Sequence, residues 1–386
     1  MLFEARERTR TVPMKPGEGE FAFYDSSGRS EFGIYRDLLN AWVAELPEAD
    51  RAETVARFRK GDSLQYRAVL AELTIHAALI RQGYAVRLHP SCGHPTRRPD
   101  FEVLNAESKP IVIVEVTTFN PAADQVAQGN RDAAVFNALD KSTIPAGWRI
   151  GLDIVEHGKK PASLAKLCKA VELWAAEVAG NDPLATPAKT FEADDWSIEI
   201  MLYGGFNKEI SAERMIATAT GDARMIAPHQ GIRQAAQLKG SRYGKMDLPY
   251  LIVIADCKDE LRGGRIGDAA LDAMFGSIVI AGWKDETGQS VFGEKRAADG
   301  YWGLPDAPRH PEVSGILVLP KPHLWDLRNE RWQPILLRNP WAERPLPDNF
   351  LRLPGFEYVA DQFSPTAGTM LADILGLPIP WPPEEA

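Results

Sequence analysis

Two acids stand where acids are costly. Asp100 follows Pro99 in RRPDFEVL (97–104), at the head of an apolar run, and Glu115 lies inside IVIVEVT (111–117), between Val114 and Val116. A carboxylate taken out of water needs a compensating partner. Side chains alternate along a strand, so Glu115 and Thr117 share one face. If the two runs pair antiparallel across NAESKP (105–110), Asp100 and Glu115 converge at one edge of a sheet. Carboxylates held together raise a pKa unless a cation lies between them. Mg²⁺ and Mn²⁺ suit such oxygen donors, and Mg²⁺ typically takes one or two carboxylates plus waters and a substrate phosphate. Asp100 and Glu115 are therefore candidate ligands of Mg²⁺ (or Mn²⁺), with the backbone carbonyl of Val116 a further one. Glu72, in YRAVLAELTIHAALIRQ (66–82), sits at the edge of an apolar helical stripe and is the third candidate acid. His76 follows one turn later on the same side.

Each residue also has a plainer reading. Pro-Asp is a common turn dipeptide. Glu115 could pair with Arg87, Arg97 or Arg98, since a buried acid needs a partner. Glu72 could be an exposed helix residue, and His76 a hydrogen-bonded structural histidine. His89, Cys92 and His94 suggest zinc, but no fourth ligand lies nearby and the spacing fits no zinc module.

These residues need a scaffold, and the patterning supplies one. Helices are predicted over 33–45, 49–60 and 66–82, the last ended by Gly83. Strands follow over 84–90, 101–104 and 111–117. The last is apolar on both faces and is expected at the centre of a sheet. Further on, helices are predicted over 129–141, 161–178 and within 229–244. Strands are predicted over 148–155, 196–203, 248–257, 276–283 and 313–320. Residues 1–30 read as irregular. The proline- and tryptophan-rich stretch from Asn339 to the C-terminus reads as extended surface chain.

The order is helix with Glu, strand, strand opened by Pro-Asp, then strand carrying Glu-x-polar. It resembles the PD-(D/E)xK nuclease superfamily, the restriction-endonuclease-like fold. AELTIHAALIRQGYAVRLHP, RRPDF and VEVT further resemble a bacterial family with the pattern EL-x-x-H, GY-x-V, HP, RPDF and VE-(A/V)-T, and the likeness continues through YGKMDLPYLIVIADC and NPWAERPLP. The resemblance implies an α/β fold with a mixed sheet core flanked by helices. Residues 1–65 would be an N-terminal helical region, 66–257 the core with a long insertion at 118–228, and 258–386 a C-terminal extension packed on the core.

It also implies a metal-dependent nuclease acting on DNA, with Asp100, Glu115 and Glu72 at the family's acidic positions. The family's lysine position falls on Thr117, which carries no charge. The superfamily can relocate that lysine to the helix after the third strand. Here GIRQAAQLKGSRYGK (231–245) carries Arg233, Lys239, Arg242 and Lys245 and no acid. Lys239 is the candidate for the relocated role, with Lys245 behind it. Arg97, Arg98, Arg233, Gln237, Arg242, Tyr243 and Lys245 are the expected nucleic-acid contacts, although a basic stretch is also what a solvated helix face looks like. Thr117 keeps one alternative open: an inactive nuclease-like module that binds nucleic acid or protein.

Bulk properties limit the rest. The 386 residues suit one elaborated domain or two. Three scattered cysteines are too few for a disulfide framework and fit a reducing cytoplasm. No run approaches the ~20 apolar residues that span a bilayer, so no membrane partner is expected. A net charge of −9 argues against non-specific coating of nucleic acid while permitting a local basic groove. A homo-oligomer is left open.

Overall fold

The structure is a computed structural model that describes residues 1–15, 17–60, 62–92, 94–119, 123–178, 186–205, 215–220, 228–244, 246–257, 261, 266–284, 290–321, 324–359 and 362–383. Its elements begin with helices α1 (Glu20–Ser26), α2 (Ser30–Ala44), α3 (Glu48–Lys60) and α4 (Ser63–Arg81) and strands β1 (Ala85–Leu88), β2 (Phe101–Leu104) and β3 (Pro110–Phe119). There follow α5 (Ala123–Leu139), β4 (Arg149–Glu156), α6 (Leu164–Val178), β5 (Ala188–Ala193), β6 (Trp196–Tyr203) and β7 (Ile216–Thr220). The chain continues with α7 (Pro228–Gly240), β8 (Tyr250–Asp256), α8 (Ile266–Phe275), β9 (Ile278–Lys284) and β10 (Ser290–Arg296). Last come β11 (Gly303–Leu304), β12 (Ala307–Pro308), β13 (Gly315–Leu319), β14 (Ile335–Arg338), β15 (Gly355–Val359), β16 (Gln362–Thr366) and α9 (Leu371–Ile374).

Contacts divide the chain into two units. One holds residues 1–10, 20–120 and 226–386, and the other 11–19 and 121–225. The first unit is α/β, built on a mixed eight-stranded sheet in the order β1-β2-β3-β8-β13-β14-β15-β16. β3, β8 and β13 run parallel at its centre, and β1 and β2 run antiparallel at one side. β8 and β13 are buried throughout, as their near-continuous apolar sequences require.

Alternation on β3 divides the packing between the faces of the sheet. Ile113 and Phe119 join Ile232, Ala235 and Ala236 of α7 in one core cluster. Val112, Val114 and Val116 point the other way. α4 also packs against β3. It starts at Asp62, whose carboxylate accepts from the Gln65 N–H at 2.9 Å, and stops before Gly83, whose φ of 84° is easy only for glycine.

The second unit carries the sheet β5-β6-β4-β7, covered by α5 and α6 around Trp148, Ile150, Trp174, Trp196 and Ile198. It takes in 11–19 as well as 121–225, whereas the expected insertion was 118–228 alone.

Two expectations need correction. Residues 258–386 are more than an extension, because they supply β13, β14, β15 and β16 of the large sheet. Non-local pairing overrides the proline-rich composition there: β14 lies parallel to β15, and β15 antiparallel to β16. The first 30 residues are not wholly irregular, since Glu20–Ser26 form α1, seated by Phe23 and Tyr24. Among the described residues no helix is long and apolar enough to cross a membrane.

Candidate active site

Phe101 of β2 stands opposite Val114 of β3, so β2 begins one residue after Asp100 and β3 runs on past it. The Val116 N–H, which faces that side, has no strand to bond. Asp100 takes it, its Oδ2 accepting at 2.6 Å. The carboxylate is thereby fixed at the head of β2, one pair along from the Phe101–Val114 register and beside Glu115.

Glu115 is 2% exposed, and both of its oxygens are engaged. Lys239 Nζ donates to Oε1. The Tyr243 hydroxyl reaches Oε2 and lies 3.0 Å from the Arg98 carbonyl oxygen, so its one proton serves either acceptor. Burial, then the bond to Glu115, holds the Tyr243 hydroxyl well above the usual phenol range, so it remains a donor.

The backbone explains why Lys239 arrives at Glu115. α7 comes close to the end of β3 at Gly231, where an added Cβ would lie 2.9 Å from the Phe119 ring. From Gly231 to Lys239 the helix climbs about 12 Å. From Phe119 back to Glu115 the strand covers about 13 Å. With α7 anchored at one end by Phe119, these matched lengths bring the lysine level with the acid.

Glu72 lies on α4, where Arg57 of α3 grips it through two bonds of 2.6 Å. Glu72 lines one small cavity together with Arg57, His76, His89, Asp100 and Phe101. Asp100 thus feels acids from two directions. Its pKa is pushed up to about 8, by burial first and then by Glu115 and Glu72, against the Val116 N–H and Lys239. His76 is 1% exposed, its Nδ1 has no hydrogen-bond partner among the described residues, and burial pushes its pKa down to about 4.

Other expected residues separate. Thr117 is half-buried, two residues beyond Glu115 on the same face. Arg87 pairs with Glu102, so it is not the partner of Glu115. Arg97 is exposed and donates to the Arg242 carbonyl at 3.0 Å. Arg98 is exposed and Gln237 is exposed on α7. The Arg242 guanidinium lies 5.8 Å from the Tyr243 ring centre. Arg233 is misassigned as a phosphate contact. It is committed to Asp299 at 2.9 Å and to the Asp272 and Ala273 carbonyls of α8, because its side of α7 faces that helix. Tyr243 is buried on Glu115 instead of facing a backbone. Lys245 lies outside the described residues. His94 Nδ1 accepts the Thr96 and Arg97 N–H groups. Sequence reasoning missed Arg57, which no periodicity singles out.

Among the described residues, no three His, Cys, Asp or Glu side chains converge into a ready-made cation cage. Mg²⁺ does not require one, since waters and substrate phosphate complete its octahedron. Comparison with protein-family models, with curated proteins and with solved structures finds no match to this chain.

Proposed function

We propose that the first unit is a restriction-endonuclease-like core and that its site hydrolyses phosphodiester bonds in DNA with the help of Mg²⁺ or Mn²⁺. The observation that carries this reading is the contact of Lys239 with Glu115. It places a cation beside the acid of the third strand, where Thr117 offers none. The donor set suits a hard divalent ion. Asp100 and Glu115 are oxygen donors side by side, and burial first, then Glu115 and Glu72, push the Asp100 pKa up to about 8, so a cation there would stabilise its ionised form. Asp100 and Glu115 would hold the ion, with Glu72 lining the small cavity that Asp100 also lines.

The chemistry that a divalent ion held by Asp100 and Glu115 would supply is polarisation of the scissile phosphate and activation of the attacking water. The chain's own residues do the rest. Lys239 is the one cation at the Glu115 carboxylate among the described residues. It orients that acid and is positioned to donate to charge that develops on phosphate oxygen. Tyr243 holds the second Glu115 oxygen and fixes its rotamer. The Val116 N–H holds Asp100. Arg97, Arg98, Gln237 and Arg242 would position a backbone and carry no sequence information.

The deciding experiment incubates plasmid and linear DNA with the protein and Mg²⁺ or Mn²⁺, beside Asp100→Ala and Glu115→Ala. Cleavage by the wild type, lost about 10²-fold or more in both variants, is expected. No cleavage and no stabilisation by either metal removes the reading. One observation favours the alternative, an inactive nuclease-like module. Lys239 and Tyr243 already satisfy both oxygens of Glu115, as an ion pair of purely structural purpose would. DNA binding without cleavage, unaffected by Glu115→Ala, is what that alternative expects.

A further inference from the structure

Arg57 borders two spaces. On one side it lines the small cavity that holds Glu72 and Asp100. On the other it lines an open groove of about 600 Å³ with Lys60, Gln65, Ala68 and Thr118. Thr118 is the next residue after Thr117 on β3, so the groove starts where the site's strand ends. Lys60 lies three residues after Arg57 on α3, hence beside it on one helix face. Lys60 and Gln65 are exposed. Asp62, also on the wall, has its carboxylate turned to the Gln65 N–H as the cap of α4.

The guanidinium fork of Arg57 is now closed on a carboxylate, with one nitrogen on each oxygen of Glu72. The same fork geometry fits a phosphate. Arg57 is a third exposed, so its side chain has room to swing out. A metal on Glu72 would compete with this bidentate grip for the same two oxygens.

We propose that the groove bounded by Arg57, Lys60, Gln65 and Thr118 takes the phosphodiester backbone of the nucleic-acid substrate, and that Arg57 exchanges partners. It holds Glu72 in the metal-free protein and turns to a substrate phosphate when Glu72 becomes a metal ligand. The inference rests on the nuclease reading and adds a substrate track and a coupling between metal and substrate. It gives Arg57 a positioning role and leaves the chemistry to Asp100, Glu115 and Lys239.

The test uses full-length protein with two binding readouts. Mn²⁺ binding is followed by calorimetry without DNA. Binding of a labelled DNA oligonucleotide is followed by fluorescence anisotropy, in EDTA and in Ca²⁺. Lys60→Glu is expected to weaken DNA binding about tenfold in both buffers and to flatten its salt dependence by about one unit of slope, with Mn²⁺ affinity unchanged. Arg57→Ala should tighten Mn²⁺ binding several-fold, since Glu72 loses its competitor. It should also abolish the gain in DNA affinity that Ca²⁺ gives the wild type. Glu72→Gln keeps Arg57 but frees it, and should raise DNA affinity in EDTA.

Arg57→Ala that weakens both ligands, or leaves Mn²⁺ affinity unchanged while Asp100→Asn abolishes it, overturns the exchange and spares the nuclease reading. Lys60→Glu without effect on DNA overturns the groove. Wild type that binds Mn²⁺ no better than Asp100→Asn overturns the nuclease reading, and the exchange with it.

Discussion

At the scale of single residues, the site is a set of acids that each carry a different partner. Glu72 has a guanidinium, Asp100 a backbone N–H, and Glu115 an ammonium and a phenol. The partners are not equivalent. Glu115 is nearly inaccessible, with a side chain 3% exposed, and Lys239 neutralises it from a position 17% exposed. Removing one member of a buried pair costs more than removing both, because the remaining charge stays desolvated. Lys239→Met should therefore destabilise the protein by about 3 kcal/mol, measured by denaturant unfolding. Glu115→Gln with Lys239→Met should cost much less than the sum of the two single changes, the mark of direct coupling. Additive costs would mean that the pair is not formed in solution.

At the scale of elements, α7 sets the site because its approach to β3 is fixed at Gly231. Alanine there would gain about 1 kcal/mol of helix propensity. It would also bring a methyl to 2.9 Å from the Phe119 ring, which is itself buried. The helix has to give way, and Lys239 moves with it. Gly231→Ala is expected to leave stability within about 1 kcal/mol of wild type, because the two effects oppose each other. If the nuclease proposed above is active, the change should still lower cleavage at least tenfold, because a small displacement of Lys239 from its proposed role would be expensive. Unchanged turnover would show that the Gly231 contact does not set the lysine's position.

The same elements show what a sequence can reveal. β2 and β6 were legible to the residue, at 101–104 and 196–203, because short apolar runs lie there between turn signals. The meeting of Asp100 and Glu115 was legible because their strands are joined by one short turn. Lys239 is 124 residues from Glu115, and only the resemblance pointed to it. Arg57 was not legible, since its partner lies on the next helix across an interface that no periodicity encodes. Arg233 was misjudged because helical spacing does not say which side meets α8. Strands β14, β15 and β16 were hidden by Pro334 and Pro354 just before the first two, by Pro365 within the third, and by partners that only the assembled sheet brings together.

At the scale of the whole molecule, stability reports the site through pH. Two buried groups pull in opposite directions. For His76 the fold favours the neutral ring, with a pKa lowered from 6.5 to about 4. Its contribution is complete above pH 6.5 and is lost as pH falls through 4. For Asp100 the fold favours the protonated acid, with a pKa raised from 3.8 to about 8. Its contribution is complete below pH 3.8 and is lost as pH rises through 8. Between pH 4 and 6.5 the two oppose each other. Above 6.5 the histidine contribution levels off, so between 6.5 and 8 Asp100 dominates the pair. Metal-free protein in EDTA should therefore lose up to about 2 kcal/mol of unfolding free energy across that window. Asp100→Asn should remove the slope, because an amide does not titrate. In its proposed role as a metal ligand Asp100 must be ionised, so Mn²⁺ should reverse the slope and stabilise more at pH 8 than at pH 6.5. Urea unfolding at a series of pH values, with and without Mn²⁺, measures all three. A flat profile for metal-free wild type would mean that Asp100 is ionised throughout, so that burial and the neighbouring acids do not hold its proton.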